Sequence, residues 1–93
     1  MRALERTKAF KRDYRRVLAS PRHRDIKELL PPVLTLLASD TPLPPKFADH
    51  PLRGEWQTFR DCHIKPDLLL IYRKVGSDVL QVARLGSHCE IGF

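Results

Sequence analysis

Five consecutive apolar residues, Leu68-Leu69-Leu70-Ile71-Tyr72, constrain this chain more than any other feature. Strand side chains alternate between faces, so a run apolar at every position must be covered on both. The stretch DLLLIYRK is therefore a central strand that needs a neighbour at each edge. VGSD turns the chain, and VLQVARL supplies one neighbour. EWQTFRDCHI supplies the other by alternation, with Trp56, Thr58, Arg60 and Cys62 on one face and Phe59, Asp61 and His63 on the opposite one. Lys65-Pro66 reads as the tight turn between them, with Asp67 opening the central strand beside His63. The closing GSHCEIGF is expected as a short edge strand.

The first 38 residues carry helical periodicity instead. Thr7 is a suitable cap for a helix to about Ala19, after a short strand over residues 2–6. Phe10, Tyr14, Val17 and Leu18 form its apolar face, and Lys8, Lys11, Arg12, Arg15 and Arg16 form a cationic stripe. A second helical pattern runs through Ile26, Leu29, Leu30, Val33, Leu36 and Leu37. Pro31-Pro32 interrupts it, which predicts a kink or break near Leu30. SDTPLPPKFADHPLRG has no period, and its length makes it a functional loop rather than a plain connector. The expected fold is α+β: two N-terminal helices packed on one face of a small, mainly antiparallel sheet. The other face stays open for binding.

Ninety-three residues are expected to form a single domain over 1–93. No apolar run approaches the ~20 residues that span a bilayer, and MRALERTKAF is too charged for a signal peptide, so the expected compartment is the cytoplasm. The net charge is +6. Residues 1–30 hold ten Lys or Arg against four Asp or Glu, while residues 31–93 hold seven of each. A cationic end of this kind fits an anionic partner, either nucleic acid or an acidic protein.

The chemistry-bearing residues gather in the second half. His50, His63 and His88 lie at three segment ends that a meander can bring to one edge, and Asp61 shares a face with His63. A zinc site is one use of three histidines and an aspartate, but spacings of 13 and 25 lack a short ligand pair, so no metal is assigned. Cys62 as nucleophile is disfavoured because it and His63 face opposite ways. General acid–base cleavage of RNA is the third use: two imidazoles move protons, an aspartate orients one, and Arg53, Arg60, Lys65 or Arg73 stabilises the phosphorane. Trp56, Phe59 or Phe93 could stack on a base. A non-catalytic RNA-binding module fits the same composition.

KFADHPLRGEWQTFRDCHIKPDLLLIYRKV, followed by VARLGSHCEIGF, resembles the YafQ family of bacterial toxins within the RelE/ParE superfamily. DHPL, RD-x-HI, PD-x-LLIY and a C-terminal Gly-x-His carry the likeness, strongly over residues 44–93. It implies a RelE-like fold and a ribosome-dependent mRNA endoribonuclease without metal or other cofactor, cleaving mRNA in the ribosomal A site. It also implies a cognate, acidic antitoxin of the DinJ/RelB kind, with a DNA-binding N-terminus through which alone operator DNA is contacted. Matched by position, His50, His63, Asp67 and His88 are the expected catalytic residues, with a base among the first three and His88 as acid. Asp61, Arg60, Trp56 and Phe93 are expected to support them. The resemblance assigns Lys8, Lys11, Arg12, Arg15, Arg16, Arg53, Lys65 and Arg73 to RNA or the ribosome. Relatives place an aromatic four residues after the last histidine. Here Phe93 comes fifth, and is expected to reach the same place through Gly92. A non-catalytic ParE-like toxin of the same fold is the alternative.

Overall fold

The computed structural model describes residues 1–92. The chain runs β1 (Ala3–Arg6), α1 (Lys8–Ala19), α2 (Ile26–Ala38), β2 (His50–Pro51), β3 (Arg60–Lys65), β4 (Leu68–Val75), β5 (Val79–Gly86) and α3 (His88–Ile91). The strands form one sheet in the order β1-β5-β4-β3-β2. Among the described residues only the β1–β5 pair is parallel. β4 lies at the centre, as its doubly apolar run requires, and Leu68 to Tyr72 are all buried.

Phe10 and Val17 of α1 and Ile26, Leu30, Val33 and Leu37 of α2 pack on one sheet face, against Cys62, Leu70, Tyr72, Leu80 and Val82. Each such fully buried side chain contributes about 1.5–3 kcal/mol. On the other face Leu69, Ile71 and Ala83 are covered by Ile91 and by half-buried Leu52, Trp56 and Phe59. That face is therefore only partly open.

Thr7 caps α1, accepting the Phe10 N–H at 3.0 Å. α1 also completes the outer edge of β5. β1 pairs with β5 only as far as Val82. Beyond it, the Thr7 hydroxyl donates to the Ala83 carbonyl at 2.8 Å, Asp13 accepts the Leu85 N–H at 3.0 Å, and Arg16 donates to the Leu85 carbonyl at 3.0 Å. Polar side chains thus satisfy a strand edge that no further strand covers.

Three expectations need correction. α2 does not break at Pro31-Pro32; it is helical from Ile26 to Ala38. The missing N–H groups would have bonded the carbonyls of Lys27 and Glu28, and all four residues are exposed, so water can reach the freed acceptors. Burial of Leu30, Val33 and Leu37 holds the helix through the prolines. Residues 87–92 are not an edge strand: Ser87 and Glu90 form a reciprocal capping box that starts the single turn α3. Finally, β3 begins only at Arg60, and Gly54–Trp56 is a 3-10 turn. Trp56 therefore packs with Phe59, edge to face at 5.1 Å, rather than on the Cys62 face.

Candidate active site

Three elements bring three imidazoles to one buried carboxylate. β2 is only two residues long, yet its pairing sets His50 directly across from Asp61. Alternation along β3 turns Asp61 and His63 away from core residues Cys62 and Ile64. His88 is the first residue of α3. The His63 ring stands between the other two, 6.4 Å from His50 and 6.1 Å from His88 between centroids. Asp61 Oδ2 is 3.8 Å from His50 Nε2, and Oδ1 is 3.8 Å from His63 Nε2.

Asp61 is the unusual member. It is 1% exposed, and its Oδ1 has no hydrogen-bond partner. Burial pushes its carboxyl above the usual carboxylate range, against the opposing pull of His50, His63 and His88. A second buried carboxylate, Asp13, makes the contrast. Burial would raise it too, but hydrogen bonds from Arg84, the Leu85 amide and Arg16 outweigh that and hold it below the usual range. One carboxylate is satisfied by the fold, whereas the other faces histidines at distances too long for hydrogen bonds.

His50 has a defined tautomer. Its Nδ1 lies 2.7 Å from the Ala48 carbonyl, which can only accept, so Nδ1 carries the proton and neutral His50 keeps a lone pair on Nε2. Ala48 adopts φ +48°, a left-handed conformation that aims this carbonyl. Arg60, on the opposite face of β3, donates to Asp49 at 3.1 Å, and Tyr72 donates to the same oxygen at 2.6 Å. These bonds fix the loop residue that precedes His50. A groove of about 600 Å³ opens beside His63, walled by Leu29, Leu36, Lys46, Phe47 and Lys65.

Asp67 is not brought to this cluster. It lies in the turn Pro66–Asp67, one residue later than Lys65-Pro66, and its carboxylate pairs with Arg22. Lys65 bonds the Arg22 carbonyl at 2.7 Å and Asp25 at 2.9 Å. Arg73 bonds Gln81 at 2.7 Å and lies 4.8 Å from the Phe59 ring centre. Lys8, Lys11, Arg12, Arg15 and Arg53 are exposed. Arg16 is also exposed, but its guanidinium is tied down along the surface by Asp13 and Glu90. Cys62 is fully buried, and burial raises its thiol far above the ordinary range, so it is no nucleophile. Phe93 lies outside the described residues.

Sequence reasoning missed Asp13, Asp49, Ser87 and Glu90. Two signals were present: a carboxylate inside the apolar stripe Phe10–Tyr14–Val17, and the Ser-x-x-Glu box at residues 87–90. Asp61, His63 and His88 each offer a donor atom within 4.8 Å of the others. One carboxylate and two imidazoles suit a borderline divalent ion such as Zn²⁺ or Cu²⁺.

Among known proteins, residues 2–92 match the family described as bacterial toxin of type II toxin–antitoxin system, YafQ. The chain is 43% identical over 75 residues to the mRNA interferase toxin YafQ of Escherichia coli (strain K12), covering 80% of this chain and 79% of that protein. The crystal structure of a metal-bound toxin from Helicobacter pylori superposes with a TM-score of 0.86 at 43% identity, covering 98% of this chain and 99% of the other. A chain of the E. coli DinJ–YafQ complex superposes with a TM-score of 0.80 at 37% identity, covering 98% of both.

Proposed function

The chain belongs to the YafQ family of bacterial toxins of type II toxin–antitoxin systems, and from that membership we propose a ribosome-dependent mRNA endoribonuclease that cleaves in the A site by acid–base chemistry. The observation that carries this reading is the gathering of His50, His63 and His88 around the buried Asp61. His50 Nε2, unprotonated when neutral, takes the proton of the 2′-hydroxyl. The 2′-oxygen attacks the adjacent phosphorus. His88 protonates the departing 5′-oxygen, leaving a 2′,3′-cyclic phosphate and a 5′-hydroxyl. His63, between them and over Asp61, is the cation for the phosphorane, aided by Arg53 and Arg73. Asp61 places a buried carboxylate against the imidazoles of His50 and His63. Asp67, paired with Arg22, has no proton-transfer step here. The groove beside His63 has room for a nucleotide next to the cleaved bond, with Phe47 as a stacking surface.

The partners follow. An acidic, cognate antitoxin covers the cationic surface and silences the toxin; the E. coli relative is solved in complex with DinJ. Operator DNA is reached only through that complex. We place the free toxin in the cytoplasm with its ribosomes. Among the described residues no helix is long and apolar enough to cross a membrane.

The test is a translated transcript on purified ribosomes. Single His50→Ala, His63→Ala or His88→Ala should each slow cleavage by about 100-fold or more. Cleavage that survives unchanged in the His63→Ala/His88→Ala double variant would falsify the assignment. Growth arrest with intact mRNA and damaged DNA would favour the ParE-like alternative instead.

A metal has a second place in this site, because a related toxin is solved as a copper-bound protein. Bound by Asp61, His63 and His88, the ion would occupy nitrogens that the acid–base route needs free. Chelator should leave cleavage unchanged, and added Cu²⁺ or Zn²⁺ should inhibit it. Loss of cleavage in chelator, restored by metal, would reverse that order.

A further inference from the structure

His88 sits on α3, a helix of only four residues that cannot hold its shape alone. Two attachments fix it. Ile91 is buried on the sheet in one cluster with Leu69, Ile71 and Ala83. On its other side stands Arg16, which reaches three elements at once. Its Nη1 donates to Asp13 at 2.8 Å, its Nη2 to the Leu85 carbonyl at 3.0 Å, and its Nε pairs with Glu90 Oε2 at 3.0 Å. The second oxygen of Glu90 accepts the Ser87 N–H at 2.9 Å, the bond that opens the turn immediately before His88. Asp13 is itself anchored, 2% exposed and bound by Arg84 at 2.7 Å. A chain of charge-assisted bonds therefore runs from the interior of α1 through Arg16 and Glu90 to the start of α3. Gly86 leaves the passage for it: a Cβ there would lie 2.8 Å from Arg16 Nη2 and 3.2 Å from Glu90 Oε1.

We propose that Arg16, fixed by Asp13 and acting through Glu90, is a positioning residue that sets the His88 imidazole against His63. The functional part rests on the reading of His88 as general acid. It separates Arg16 from Lys8, Lys11, Arg12 and Arg15 on α1 by its partners rather than by burial: all five are exposed, but Arg16 is bonded to Asp13, the Leu85 carbonyl and Glu90.

Two variants break the clamp without deleting a buried charge. Glu90→Gln keeps an acceptor for the Ser87 amide and loses the ion pair. Gly86→Ala pushes the guanidinium aside. Each should lower kcat on programmed ribosomes by about 10- to 100-fold, because small misplacement of a reacting group is costly. KM and salt dependence should stay within about twofold of the parent on the same argument, since no phosphate contact is lost. Combined with Arg16→Lys, the losses should not add. A raised KM and a shallower salt slope for Arg16→Gln, with Glu90→Gln unaffected, would make Arg16 an RNA contact and overturn the proposal. NMR of the histidine rings separates the clamp from the chemistry. The His63–His88 contact should weaken in both variants while His50–His63 persists. An unchanged His63–His88 contact overturns the positioning role, even if the parent protein cleaves nothing and the nuclease reading itself has failed.

Discussion

Asp61 and Asp13 are almost equally buried, yet they bear on stability with opposite signs. Asp13 is held below the usual carboxylate range, so its contribution is present above that range and is lost as pH falls through the lowered value. Asp13→Ala strands Arg84 and should cost about 3 kcal/mol at neutral pH, read by urea unfolding. Asp61 is raised, with burial the dominant cause. The folded state then holds its proton at a pH where the unfolded chain has released it. Stability falls as pH rises through that window and stays lower above it. Asp61→Asn removes the charge at similar volume. It should stabilise the protein at pH 7 by about 0.5–2 kcal/mol while lowering cleavage. The difference should vanish only near pH 2, well below the ordinary aspartate value of about 3.9, where the carboxyl is protonated in both states. An Asn variant that is less stable at pH 7 would show that the histidines already neutralise Asp61, and would remove the argument that its charge is kept for chemistry.

At the scale of elements, short-range patterns were readable. The doubly apolar Leu68–Tyr72 run specified the central strand, and Thr7 marked the start of α1. Readings that depended on distant partners were not. Propensity placed a break at Pro31-Pro32, but apolar burial on one side and water on the other carry α2 through. The site shows the same division. His50, His63 and His88 were found as residue types at segment ends, and alternation put Asp61 with His63. That Asp61 rather than Asp67 meets the imidazoles depended on turn position. The register shifts between His63 and Lys65, the turn falls at Pro66–Asp67, and Arg22 captures the carboxylate. Nothing local in KPD announces a partner 45 residues away. If α2 tolerates its prolines only through packing, Pro31→Ala and Pro32→Ala should each restore a helical hydrogen bond. Each should raise stability by about 1–3 kcal/mol, read as a higher midpoint in thermal or urea unfolding. A lower midpoint would show instead that the fixed proline φ values preorganise this helix.

For the whole molecule, the net charge of +6 and its concentration in the first 30 residues become a statement about where binding and chemistry reside. The histidine cluster is built from β2, β3 and α3, whereas most of the excess cations lie on α1 and the turn after it. Within that basic set the structure distinguishes two groups. Arg2 pairs with Asp40, Arg16 with Asp13 and Glu90, and Arg22 with Asp67, so these hold elements together. Lys8, Lys11, Arg12 and Arg15 are exposed along α1 and, with the likewise exposed Arg6, Arg24 and Lys27, are available to phosphate. If they dock the toxin on a ribosome as proposed, each phosphate they neutralise releases counterions and steepens the salt dependence of binding. Replacing the four on α1 with glutamine one at a time should weaken ribosome association, and each lost contact should reduce the salt slope by about one unit. The rate of cleavage once bound should stay near that of the parent, since none of the four touches the imidazoles. Titrating ribosomes at several salt concentrations and measuring single-turnover cleavage at saturation separates the two effects. Slower saturating cleavage with an unchanged salt slope would place the α1 stripe in the chemistry rather than in docking. Unchanged binding in the quadruple variant would leave the α1 stripe to the antitoxin alone.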